Sequence, residues 1–148
     1  MEQEWLLSAL GGEAKKDPRE LNPLQMAYIG DTVHDLFVRS RLMQRPASVG
    51  RMHKQAVRMV SAAAQARMLE AIEPELTEAE ADVARRGRNA QAKHAAPKNA
   101  DPVDYAHATG LEALWGYLFV TGNTQRLAEL VCMALERTEE LWQKQSSK

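Results

Sequence analysis

The sequence predicts an all-helical, single-domain protein, and three observations carry that expectation. Helix-capping residues recur along the chain, at Asn22-Pro23, Ser48, Thr77 to Glu80 and Asp101-Pro102. Strand-like alternation of apolar and polar residues is nearly absent. Residues 26–38 (MAYIGDTVHDLFV) and 111–120 (LEALWGYLFV) are apolar around most of a helical circumference, as buried helices are. A length of 148 residues suffices for one domain with a real core.

Each element follows from local signals. Asn22 caps and Pro23 opens a helix over 24–42, with Pro46 as the stop beyond it. Ser48 caps a second helix through 51–57, and the alanine-rich stretch 61–72 forms a third that ends before Pro74. Thr77 and Glu80 have capping-box spacing and open a short helix. Residues 86–101 (RGRNAQAKHAAPKNAD) contain Gly87, Asn89, Pro97 and Asn99 without apolar periodicity and are expected to form a long basic loop. Asp101-Pro102 starts a long helix to about 120. After a Gly122-Asn123 turn, Thr124 caps a last helix to about 142. The expected division is an N-terminal extension over 1–20, the domain over 21–142, and a frayed tail over 143–148.

Composition narrows the function classes. The hydrophobic fraction of 45% and charged fraction of 26% are those of a globular protein, with no run long enough for a membrane span and no secretory leader. Cys132 is the only cysteine, which excludes an internal disulfide and a cysteine-based zinc site. Its apolar neighbours suggest buried packing, and the setting is expected to be cytoplasmic. No P-loop, HExxH spacing or nucleophile elbow is present. The net charge is −1, yet residues 36–69 and 83–100 contain no acid and hold seven and five of the nineteen Lys and Arg residues. A neutral chain can thus present a basic face to a polyanion.

Two carboxylates stand out because of their surroundings. Asp31 and Glu112 lie on helices that should form the core, where an unpaired carboxylate costs several kcal/mol. An ion pair with Arg39, His34 or His107 would offset that cost. So would a divalent cation shared between the two acids, and oxygen donors of this kind suit Mg²⁺ or Mn²⁺. Gly30 lowers helix propensity beside Asp31, which suggests close approach of another backbone or a ligand.

Three blocks in this order carry a resemblance. NPLQMAYIGDTVHDLFVR, residues 22–39, resembles the signature helix of ribonuclease III domains. ATGLEALWGYLF, residues 108–119, resembles their second carboxylate-bearing helix. RRGRNAQAKHAAPKNAD, residues 85–101, resembles the basic connection of the Mini-ribonuclease III branch. The resemblance spans about residues 21–135 and implies a ribonuclease III-type helical bundle that forms a two-fold homodimer and cuts double-stranded RNA with Mg²⁺, Mn²⁺ being a possible substitute.

It also assigns roles. Asp31 and Glu112 match the catalytic, metal-binding acids. The longer enzymes carry two further carboxylates, at positions that here hold Ala27 and Thr109, which leaves fewer direct metal ligands. Asp35, one turn after Asp31, could assist. Arg85, Arg86, Arg88, Asn89, Lys93, Lys98 and Asn99 are the expected RNA-binding set, since the chain leaves no room for a separate double-stranded-RNA-binding domain. Tyr28, Ile29, Val33 and Phe37 are expected at the dimer interface. The implied substrate is the precursor of large-subunit ribosomal RNA, with a ribosomal protein or pre-ribosomal particle as a further partner and no membrane. The alternative is a non-catalytic RNA-binding or ribosome-assembly module on the same fold.

Overall fold

A computed structural model describes residues 20–146, with side chains through residue 141. Residues 1–19, most of the expected N-terminal extension, and 147–148 lie outside the described residues. Among the described residues, six α-helices follow one another: α1 (Pro23–Leu42), α2 (Val49–Met59), α3 (Ala62–Ile72), α4 (Glu78–Ala92), α5 (Pro102–Val120) and α6 (Thr124–Ser146). A 3₁₀ turn, Glu73–Glu75, links α3 to α4. Among the described residues there is no strand, and no helix is long and apolar enough to cross a membrane.

The caps act where the sequence puts them. Asn22 Oδ1 accepts from the Leu24 amide at 2.9 Å, and Ser48 and Ser61 accept from Arg51 and Ala64 at 3.2 Å each. The Thr77–Glu80 box closes in both directions, at 3.1 and 2.9 Å. Asp101 Oδ1 accepts from the Val103 and Asp104 amides. Each such cap is worth about 1 kcal/mol.

Helix α5 is the axis of the bundle, packed by α1, α3, α4 and α6. Leu111, Leu114 and Trp115 are fully buried, together with Val38, Met68, Ile72 and Leu130 from the surrounding helices. His34 sits inside this core and ties three elements together. The Trp115 Nε1–H donates to its Nδ1 at 3.1 Å, which leaves Nε2–H to donate to the Met59 carbonyl, also at 3.1 Å. Burial lowers its pKa, so the ring is neutral.

Several expectations need correction. The basic loop is only half a loop. Helix α4 continues through Arg86, Gly87, Arg88 and Asn89 to Ala92, and the irregular connection is confined to residues 93–101. Arg, Ala and Gln favour helix, and Gly87 is tolerated there for packing: a Cβ would come within 3.2 Å of the Thr109 carbonyl oxygen on α5. Thr124 begins α6 rather than capping it from outside, and its buried hydroxyl has no hydrogen-bond partner. The same helix runs to Ser146. Cys132 is exposed, on the solvent side of α6. Val33 is a core residue, whereas Tyr28 and Leu36 on the same helix are 86% and 63% exposed.

Candidate active site

Asp31 and Glu112 are carried by α1 and α5, and two glycines decide how closely those helices approach. A Cβ on Gly30 would overlap the Glu112 carbonyl oxygen, and one on Gly116 would overlap the Met26 carbonyl oxygen. The contact is reciprocal: each helix offers a glycine to the other's backbone. The close approach expected at Gly30 is therefore made by the backbone of the residue that carries the second acid.

The two carboxylates differ in environment. Asp31 is exposed, contrary to the expectation of a buried acid, because its side of α1 turns away from the core. Glu112 is largely withdrawn from solvent. Burial, reinforced by the nearby negative charge of Asp31, pushes its pKa up to about 8. The nearby Gln65 side chain offsets this in part.

None of the candidate cations neutralises the pair. Arg39 pairs with Asp35 at 3.2 Å, one turn apart on the exposed side of α1. His34 is occupied by Trp115 and Met59, and His107 bonds the Val103 carbonyl at 2.8 Å. Among the described residues, no basic side chain forms an ion pair with Asp31 or Glu112.

Gln65 was not singled out from sequence. It is 2% exposed on α3, donates from Nε2 to the Val60 carbonyl at 2.9 Å, and leaves Oε1 buried without a partner. A buried orphan oxygen beside a neutralised carboxylate marks a place where a water or cation fits. The signal was a single polar side chain inside the alanine-rich run AAAQA, at a spacing shared with core positions Met68, Leu69 and Ile72.

Ala27 and Thr109 turn towards α4. Ala27 packs with Met26, Val83 and Ala113, and the Thr109 hydroxyl is satisfied by the Tyr105 carbonyl at 3.0 Å. Acids at these positions would be buried under α4. Among the described residues, no group of three His, Cys, Asp or Glu side chains could hold a metal.

The expected RNA-binding residues do not form one cluster of free cations. Arg85 pairs with Asp82, and Arg86 donates to the Leu21 carbonyl at 3.3 Å, pinning the chain before α1. Arg88 is half-buried against α5 near Gly110. Asn89, Lys93, Lys98 and Asn99 are exposed, the last three at or beyond the C-terminal end of α4.

The chain matches known proteins over most of its length. The Ribonuclease III domain family matches residues 24–123. A Mini-ribonuclease 3 of Symbiobacterium thermophilum is 48% identical over 124 residues, covering 83% of this chain and 95% of that protein. One of Brevibacillus brevis is 44% identical over 128 residues, covering 86% and 95%. The crystal structure of a Fusobacterium nucleatum protein superposes with a TM-score of 0.73 at 22% identity, over 82% of this chain and 98% of that one, and shows the same fold. Both acids lie inside the matched segment, on the two helices held together through Gly30 and Gly116. The chain belongs to the ribonuclease III family, in its Mini-ribonuclease 3 branch, and is an endoribonuclease.

Proposed function

We propose that this endoribonuclease cuts double-stranded RNA in a divalent-metal-dependent reaction, as a two-fold homodimer acting in the cytoplasm on precursors of large-subunit ribosomal RNA. The observation that carries the reading is an uncompensated pair of carboxylates, Asp31 and Glu112, on helices locked backbone to backbone. The donor set fits Mg²⁺ or Mn²⁺: two carboxylates, all-oxygen chemistry, and a buried Gln65 Oε1 without a partner. Asp31 and Glu112 would hold the ion, which when bound lowers the pKa of a water and neutralises charge on the phosphate.

The remaining work belongs to the chain itself. Glu112 must give up its proton to serve as a ligand, and its elevated pKa means that ion binding is accompanied by proton release near neutral pH. Gln65, whose side chain favours the charged form of Glu112, would steady that carboxylate. Arg88, Lys93, Lys98, Asn89 and Asn99 would contact phosphate and sugar oxygens of the duplex, whereas Arg85 and Arg86 serve mainly within the protein. A duplex has two antiparallel strands, so a two-fold dimer places one site on each. The exposed Tyr28 on α1 is a suitable interface anchor.

The test is incubation of the purified protein with a long RNA duplex and with single-stranded RNA of the same sequence, in Mg²⁺ or in EDTA. Cleavage of the duplex in Mg²⁺ alone is expected. Equal cleavage in EDTA, or preference for the single strand, would refute the reading. Alanine at Arg88, Lys93 and Lys98 should reduce the slope of log affinity against log salt, by somewhat under about one unit per lost phosphate contact. An unchanged slope would remove them from the RNA surface.

A further inference from the structure

A cleft opens away from the acid pair, between the C-terminal end of α1, the turn that follows it, α2 and α6. Its volume is about 290 Å³, close to the lower end of small-molecule sites at about 300 Å³. Four guanidinium groups surround it, from Arg41, Arg45, Arg51 and Arg58, and its floor is apolar, with Leu42 and Leu135. Arg41 lies ten residues along α1 from Asp31, roughly 15 Å at the helical rise. The cleft is thus not part of the carboxylate site.

Charge in this cleft is only partly balanced. Glu139 of α6 reaches Arg41 at 3.7 Å and Arg45 at 3.4 Å. Among the described residues, no acid pairs with Arg51 or Arg58, and both are exposed. One carboxylate against four guanidinium groups leaves a concave site with a strong positive potential. Low-dielectric walls of that kind concentrate the field on an anion inside.

We propose that this cleft binds a nucleoside phosphate, with the phosphate on Arg51 and Arg58 and the base and ribose on the apolar floor. Guanidinium groups bind phosphate oxygens through two parallel hydrogen bonds and also stack on flat bases. A bare phosphate would leave the floor and most of the volume unused. A continuous duplex is convex and stacked, and cannot place a base in a recess. The ligand is therefore a single nucleotide unit, either free or at the single-stranded end of an RNA. This inference stands independently of how the acid pair works.

Calorimetric titration of the full chain without divalent metal tests it, using adenosine 5′-monophosphate, adenosine, inorganic phosphate and a short single-stranded oligoribonucleotide with a terminal phosphate. The nucleotide should bind more tightly than adenosine or phosphate. Arg51→Ala with Arg58→Ala should weaken it roughly tenfold or more. Glu139→Gln, which frees Arg41 and Arg45, should tighten it a few-fold. Ala47→Leu, which fills the cleft from the exposed turn, should weaken the nucleotide but not phosphate. If the oligoribonucleotide binds much more tightly than the nucleotide, with the same dependence on Arg51 and Arg58, the occupant is an RNA end. If the two bind alike, it is the free nucleotide. Equal affinity for nucleotide and phosphate, or no loss in the double variant, would overturn the assignment.

Discussion

Glu80 of α4 and Glu112 of α5 are both glutamates drawn away from solvent, and their surroundings are opposite. Glu80 accepts from Arg126 Nε at 2.9 Å and Nη2 at 3.0 Å and closes the capping box with Thr77. These partners, Arg126 first, hold its pKa below the usual carboxylate range despite burial. Arg126 also donates to the Glu75 carbonyl at 2.8 Å, so one arginine joins α6 to the start of α4. Glu112 has one amide for help, a negative neighbour in Asp31, and a pKa near 8. A carboxylate kept for architecture is given a cation by the fold. Glu112, the proposed metal ligand, is left needing one.

The sharpest way to break this contrast is to remove the chemistry and watch the fold. Asp31→Asn and Glu112→Gln should each reduce duplex cleavage by roughly a thousandfold or more, with the double variant hardly worse than either single one. Helical circular dichroism should be unchanged in all three. Near-full cleavage by either variant would break the parallel between an unpaired acid and a working one.

Stability should separate the two glutamates by sign. Arg126→Ala leaves Glu80 buried without its cation and should cost about 3 kcal/mol in denaturant unfolding. Glu112→Gln removes a charge that the metal-free fold disfavours, and at pH 8 it should raise the midpoint. Loss of stability in both variants under those conditions would mean that Glu112 is a structural acid after all.

The pH dependence sharpens the same point. An acid raised from 4.5 to about 8 keeps a proton in the folded state that the unfolded chain has already released. Its contribution in the metal-free protein therefore falls as pH rises from about 4.5, and the loss is complete above about 8. The stability difference between Glu112→Gln and the parent should grow in favour of the variant across that window, and saturating Mg²⁺ should shrink it. Glu80 behaves in reverse, stabilising above the ordinary carboxylate range and ceasing to do so as pH drops through its lowered value. A difference that stays flat with pH would remove the elevated acid.

The smallest effect is expected at Gln65. Gln65→Leu keeps the bulk but removes the side chain that favours the charged form of Glu112, and the metal concentration for half-maximal cleavage should rise roughly tenfold. The rate at saturating metal should move less. A variant that loses rate without any change in metal dependence would point to a role in substrate contact instead.

Much of this was legible in the residues, and the failures have physical causes. Caps and prolines are local, so Asn22, Ser48, Thr77 and Asp101 marked their helices correctly. Asp31 and Glu112 stood out because acids are rare in apolar helices, although only Glu112 is withdrawn from solvent. The course of α4 is hidden in the sequence because Gly87 and Asn89 carry loop propensity. Contact with α5 overrides it, and that contact is not visible in one segment alone. Gln65 escaped because alanine-rich helices give little indication of which face is buried.

The glycine contact between α1 and α5 has a consequence for how the protein opens. Backbones in direct apposition leave no side chain to rotate aside, so the two helices cannot separate by small steps. Amide hydrogens of residues around Gly30 and Gly116 should exchange with solvent only through global unfolding, while those of α2 and residues 93–101 exchange through local fluctuations. Heating or denaturant would then erode the periphery long before it disturbs the spacing between Asp31 and Glu112. The carboxylate geometry and the folded state would be lost in the same event.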